Sequence, residues 1–288
     1  MKIITHNGHF HADDVLGVAT LLLIYPDAEI VRTRDEEIIE TGDIVVDVGQ
    51  IYDPEKNRFD HHQAAGAGKR PNNIPYASFG LVWNKFGLGL SGGEEEFKIV
   101  EEKLVTPVDC IDNGVPLSVS SFDGIGNYTI GDFFESFSDG KESLEEFDKK
   151  FREAVNVAIE LLKREINRAR LTAKDWQMVR QAYAEAENKK LIILPAGGHW
   201  KRVLIPQEAL YVVSPRADGQ WTAHAVPKAV HSFELKKGFP TSWAGLKGEN
   251  LASVTGVLDV TFCHKDRFLC GAKSREGAIK LAEIALNA

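Results

Sequence analysis

Residues 2–48, KIITHNGHFHADDVLGVATLLLIYPDAEIVRTRDEEIIETGDIVVDV, decide the fold. KIIT at 2–5 reads as a strand, Asp14–Ile24 as a buried helix, Glu29–Arg32 as a second strand and Asp43–Val48 as a third, almost wholly apolar one. Continuous apolar strands with a helix between them imply a parallel sheet covered on its faces. Further along, a Gly/Pro/Asn-rich loop fills 64–75, and helices are predicted at Ala77–Phe86 and Glu95–Cys110. Glycines, Pro116 and polar residues then break the pattern over 113–132. From Ser143 to Glu187, apolar residues at Phe147, Phe151, Val155, Ile159, Leu162 and Ile166 keep the three-and-four spacing of one long amphipathic helix. After Asn188 a β-type pattern returns in LIILP, RVLIP, ALYVVS and WTAHAV, and a last helix is predicted at Arg275–Leu286. The reading is an α/β protein with an N-terminal parallel-sheet domain over 1–140, a helical linker over 141–188 and a smaller α/β domain over 189–288.

At 288 residues the chain is long enough for two domains, and 43% hydrophobic with 26% charged residues is globular composition. No run approaches the ~20 apolar residues of a membrane helix. The opening residues lack a secretory signal's apolar segment, so a cytoplasmic location is expected, with no membrane partner. Cys110, Cys263 and Cys270 fall at no metal-finger spacing and predict no disulfide framework. A formal charge of −8 argues against broad adhesion to nucleic acid, although a local basic groove with divalent metals can still hold a phosphate backbone.

Four clusters carry the chemistry. His6, His9, His11, Asp13 and Asp14 crowd into nine residues between a strand end and a helix start, the end of an open α/β sheet where ligands bind. Asp47 closes an apolar strand, where a carboxylate is costly to bury unless it is paired or metal-bound. Asp60, His61 and His62 close a short β-type run, and Asp109 and Asp112 end a helix. At a helix C-terminus Asp112 is electrostatically misplaced unless a cation sits beside it. Imidazoles and carboxylates together suit Mn, Zn or Fe, and an aspartate between two metals fits the two-metal design for in-line displacement. Against this stand plainer roles, a helix cap for Asp13 or Asp14 and a turn for Asp60.

The motifs THNGHFHADD (5–14), VVDVG (45–49), YDPEKNRFDHHQ (52–63) and DCIDNG (109–114) resemble the melanocyte-proliferating-gene (Myg) branch of the DHH phosphoesterase superfamily. FELKKGFPTSW (233–243) and FLCGAKSREGAIKLAE (268–283) extend the resemblance nearly over the whole chain. It implies a DHH-type metal-binding catalytic domain, a helical linker and a C-terminal substrate-binding domain. It further implies two divalent ions, Mn²⁺ with Zn²⁺ or Mg²⁺ as alternatives. By resemblance His6, Asp13, Asp47, His61 and Asp112 are ligands, with Asp47 bridging. His11 stands where relatives carry an aspartate and supplies that ligand here. His62 contacts the scissile phosphate, and Asp60 orients His61.

In the C-terminal region the loop Gly197–Lys201 offers His199, and Lys273 and Arg275 flank a helix start that favours an anion. These are expected to bind substrate. The basic run from Lys163 to Arg170 is interleaved with Glu160 and Glu165 and reads as a solvated helix face. The function expected from the resemblance is phosphodiester hydrolysis, a 3′–5′ exonuclease acting on RNA or short oligonucleotides. The alternatives are a small-molecule phosphoesterase, a zinc-dependent N-deacetylase-like hydrolase suggested by His11–Asp14, and a non-catalytic metal-binding protein. The sequence does not fix an oligomeric state.

Overall fold

The computed structural model describes residues 1–288, which divide into two compact units, Met1–Arg170 and Leu171–Ala288. No helix is long and apolar enough to cross a membrane. The first unit opens with β1 (Lys2–Thr5), α1 (Ala12–Ile24), β2 (Glu29–Arg32), a short α2 (Glu36–Glu40) and β3 (Ile44–Val46). A small hairpin of β4 (Tyr52–Asp53) and β5 (Arg58–Phe59) completes a sheet of order β2-β1-β3-β5-β4. All its pairings are parallel except the edge hairpin. The α/β reading therefore holds.

Successive side chains on a strand point to opposite faces. Ile3, Ile44, Val46 and Phe59 join the main core with α1 and the helices that follow, whereas Ile4 and Val45 pack with Ile39 of α2. Burial of both sets explains why these strands read as unbroken apolar runs.

Next come α3 (Ser78–Ser91), α4 (Glu94–Val100), a π-helical stretch at Glu101–Val105, α5 (Thr106–Asp112), α6 (Ile130–Glu135) and α7 (Leu144–Glu185). The helix expected at Glu95–Cys110 is thus interrupted by wider turns. At the start of α3 the capping position is Ala77, which has no side chain to offer. Two distant carboxylates do the work instead. Asp13 accepts from the Ser78 and Phe79 amides at 2.9 and 2.7 Å, and Asp109 from the Gly80 amide at 3.1 Å. These satisfy helix donors that have no partner within the helix, at the end where the dipole favours negative charge.

Gly80 is required by this arrangement, because a Cβ there would lie 1.8 Å from Asp109 Oδ2. Gly80→Ala is expected to destabilise the fold by at least about 2 kcal/mol in denaturant unfolding. Gly89→Ala, on the same helix with nothing within 4 Å of the added atom, should be neutral or stabilise by up to about 1 kcal/mol. Equal effects at the two positions would remove the steric explanation.

The second unit holds β6 (Leu191–Ile193), α8 (Lys201–Leu204), β7 (Tyr211–Pro215), β8 (Trp221–Ala225), α9 (Gly248–Thr255), β9 (Val260–Cys263), β10 (Leu269–Ala272) and α10 (Arg275–Asn287). Its sheet runs β6-β7-β8-β10-β9 and is antiparallel except between β6 and β7. RVLIP, expected as a strand, is instead largely α8 and the turn after it, with Leu204 buried beside Trp200. So short an apolar run carries no decisive period. The long α7 lies within the 141–188 span expected as a helical linker and crosses the division between the units.

On β8, burial and then the charges of Lys201 and Arg216 push the His224 imidazole down to about 4. Its unfolded value is higher, near 6.5, so the unfolded chain binds the extra proton between the two values. Stability from keeping His224 neutral is therefore present above pH ~6.5 and lost as pH falls through ~4, on the order of 2–3 kcal/mol. His224→Gln should flatten that slope in urea titrations across pH 4–7. An unchanged slope would place its origin in other groups.

Candidate metal centre

The turn after β3 brings Asp47 out of the strand. Its φ of 58° is left-handed, a conformation that costs a non-glycine residue energy and is held only where surroundings over-determine it. The same turn shortens the strand expected at Asp43–Val48. Asp47 is buried, as are His6 at the end of β1, Asp13 and Asp14 in the first turn of α1, and Asp60 after β5. Asp112 ends α5, as the sequence placed it.

Three interlocking groups result, each with one potential ligand atom per residue within 4.8 Å of the others: His6 with Asp14 and Asp47; Asp47 with His61 and His62; Asp13 with His61 and Asp112. Asp47 is central. Its Oδ2 lies 3.3 Å from His6 Nε2, while its Oδ1 lies 3.6 Å from His61 Nε2 and accepts from Ser78 Oγ at 3.0 Å. The two oxygens of one carboxylate thus face different histidines.

The residues present fit a cation. His6 Nδ1 lies 3.2 Å from the carbonyl of Asn7, which can only accept, so that nitrogen carries the proton. Nε2 then faces the carboxylates of Asp14 and Asp47, both at 3.3 Å, and needs a proton or a metal there. Asp14 Oδ2 and His61 Nε2 are buried with no hydrogen-bond partner. His61 Nε2 is 3.0 Å from Asp112 Oδ2, but not aligned for a hydrogen bond. Orphaned donors and acceptors in a native interior ask for an explanation, and a bound ion is one.

Electrostatics point the same way. Burial, then repulsion from Asp112, Asp47 and Asp109, holds the Asp13 carboxyl well above the ordinary range, against its hydrogen bond from Phe79. Burial lifts Asp14 to about 6 despite the attraction of His6. Burial would lower His6 and His61, but Asp14 and Asp47 beside the first, and Asp112 beside the second, raise both. Negative charge is in excess here, and a bound cation would offset it.

Asp60 does not contact His61 in the expected way. Its Oδ1 accepts from the backbone and Nδ1 of His62 at 3.1 and 2.7 Å, and its Oδ2 from the Gln50 amide at 2.5 Å. The histidine that Asp60 orients is therefore His62, and its carboxyl is held low: burial works against this, but the His62 bonds outweigh it. The Asp60 bond carries His62 up to about 9, against burial. With Nδ1 engaged, Nε2 is the ring nitrogen left for a substrate. His62 is more than half exposed and borders a cavity of about 920 Å³, which Asp47, His61, Asp112 and Arg34 also line.

His11 borders that cavity but belongs to none of the three groups; it is the capping residue of α1, its ring 6.3 Å from that of His6. Asp14, read from sequence as a competing cap, takes the place beside His6. It does both jobs: Oδ1 accepts from the His11 amide at 2.8 Å, and Oδ2 faces His6 Nε2 at 3.3 Å without a hydrogen bond. Its signal was the His-x-x-Asp helix start at 11–14, in which the third helical residue reaches back to the cap.

In the second unit His199 is held by Asp175, Nδ1 to Oδ2 at 2.7 Å. The start of α10, offered to a substrate anion, already holds one from the protein: Asp259 Oδ2 accepts from the Ser274 amide and hydroxyl at 2.8 and 2.5 Å. Lys273 and Arg275 flank it, exposed, with the Arg275 guanidinium 6.0 Å from the Trp221 ring centre.

The family model described as an uncharacterised protein family (UPF0160), labelled MYG1 exonuclease, matches residues 2–286. Human "MYG1 exonuclease" is 32% identical, covering 99% of this chain and 85% of its own. The "MYG1 protein" of Dictyostelium discoideum is 29% identical over 100% of this chain and 97% of its own. That of Chlamydia trachomatis serovar D is 31% identical over 98% and 96%. No solved structure matches. A match over almost every residue, with the acid-histidine groups inside it, means that the chain belongs to the MYG1 family.

Proposed function

We propose that the chain is a metal-dependent phosphodiester hydrolase of the DHH type, acting as a 3′–5′ exonuclease on RNA or short oligonucleotides. The observation that carries the reading is Asp47, whose two oxygens face separate imidazoles within an acidic, largely buried cluster. The name of the human and rat relatives, MYG1 exonuclease, supports the reaction class.

Two divalent ions, Mn²⁺ in this proposal, would be held by His6, Asp14 and Asp47 and by Asp13, Asp47, His61 and Asp112, and would supply an activated water and charge neutralisation at phosphorus. The protein's own groups do the rest. Asp60 fixes the His62 ring, so that Nε2 can donate a hydrogen bond to the phosphate and a proton to the departing oxygen. The Asn7 carbonyl fixes His6, and the amides of α3 hold Asp13 in place. Arg34 is the one Lys or Arg among the residues lining the cavity. So little positive charge neutralises few phosphates, which favours a strand end or a short substrate over a long duplex.

The test is hydrolysis of oligoribonucleotides labelled at either end, with and without Mn²⁺, beside pyrophosphate and p-nitrophenyl phosphodiesters. Stepwise shortening from the 3′ end is the expected result. Cleavage of the small esters alone would replace the exonuclease by a small-molecule phosphoesterase. Metal binding without cleavage of any phosphate ester would overturn the reading.

A further inference from the structure

The second unit contains a cavity of about 780 Å³ that the proposed chemistry does not use. It falls within the usual size range of small-ligand sites. Its lining is dominated by rings. Trp200 and His224 meet edge to face at 5.8 Å, and His264 lies against Phe268 at 4.3 Å between ring centres. Phe233, the first residue of FELKKGFPTSW, borders the same cavity with its side chain fully exposed. Phe268 is 37% exposed. Phenyl groups left in water beside a pocket of aromatic walls forgo burial that a planar ligand would restore.

The polar groups narrow the ligand further. Asp266 donates its amide to His264 Nδ1 at 3.1 Å, so that nitrogen accepts and Nε2 carries the proton. His224, kept neutral by its burial and by nearby positive charge, has Nε2 3.3 Å from Thr222 Oγ1, which leaves Nδ1 for a ligand. Lys201, on α8, supplies a cation at the same cavity. Aromatic faces, two imidazoles that each keep one ring nitrogen for a ligand, and one ammonium match a heteroaromatic base carrying a phosphate. A purely apolar ligand would make no use of those ring nitrogens or of the ammonium, and a bare anion would leave the rings exposed.

We propose that this cavity is a nucleobase-binding site, in which an unpaired base stacks on Phe233 and Phe268 while Lys201 meets its phosphate. The ligand class rests on the phosphodiester reading above, and the site itself rests on the rings. Base stacking on aromatic side chains is sequence-tolerant, which suits a surface that must accept any nucleotide of a single strand.

The test uses the full chain in EDTA, so that no hydrolysis is needed, and titrates AMP, ribose 5-phosphate and inorganic phosphate by calorimetry. AMP should bind at least about tenfold tighter than either base-free ligand, and Phe233→Ala and Phe268→Ala should each weaken AMP by about tenfold. Phe233→Trp should restore it. Phe233 is fully exposed, so its alanine variant must also keep the wild-type unfolding temperature. AMP binding no tighter than ribose 5-phosphate, or AMP affinity unchanged in both alanine variants, would overturn the proposal. Base-selective binding in a chain that cleaves no oligonucleotide would support this site and count against the hydrolase reading alone.

Discussion

Replacing Asp47 with asparagine should cut Mn²⁺-dependent hydrolysis by at least roughly 10²-fold and, in the metal-free chain, raise the unfolding temperature. The two effects have opposite signs for one reason. Asp47 stands in a largely buried cluster with Asp13, Asp14 and the partly exposed Asp112, and its charge is among those that push the Asp13 and Asp14 carboxyls up. Without a cation that crowding is a cost, and deleting one charge relieves it. With a cation, the same carboxylate is the group both halves of the centre share.

The decisive measurement is thermal unfolding with and without Mn²⁺. A ligand that binds only the folded state stabilises it by about 2.7 kcal/mol at a hundred times its dissociation constant. The wild type should show a gain of that kind, and Asp47→Asn should show little or none. If the variant keeps the full metal-induced gain, Asp47 is not shared between ions, and the centre must be redrawn around His61 and Asp112.

Much of this site could be read before the fold was known. The structure gathers His6, Asp13, Asp47, His61 and Asp112 because each sits where a strand or helix of the first unit ends, and those ends are visible as breaks in apolar runs. What periodicity could not supply was direction within a turn. The helix predicted from Asp14 begins at Ala12, which makes His11 its cap and Asp14 its third residue. In that position Asp14, rather than His11, presents a ligand atom 3.3 Å from His6 Nε2. Asp60, His61 and His62 are consecutive, so only the backbone of the turn decides that Asp60 meets His62. Asp259 reaches the start of α10 from fifteen residues away, a pairing with no local signature, and it fills the anion position that Ser274 and its neighbours advertised. The parallel sheet, by contrast, followed from the strands at 2–5, 29–32 and 43–48 with a helix between them, because strands buried on both faces read as nearly continuous apolar runs.

His62→Ala should lower kcat by about 10²–10⁴-fold while leaving the Mn²⁺-induced stabilisation in place. Its ring is the least buried of the group, its Nδ1 is taken by Asp60, and its remaining nitrogen belongs to the cavity side. A residue so placed works on the substrate, and its loss should leave His6, Asp14 and Asp47 undisturbed. Asp60→Asn should cost less, about 10–100-fold, because it loosens the ring without removing it. The double variant should then be no slower than His62→Ala alone, since an orienting carboxylate has nothing to orient once the imidazole is gone. Additive losses would mean that Asp60 acts through Gln50 and the strained turn at Asp47, whose backbone it also holds. Disappearance of the metal-induced gain in His62→Ala would mean that Nδ1 leaves Asp60 to join Asp47 and His61 around an ion, an arrangement their spacing within 4.8 Å permits.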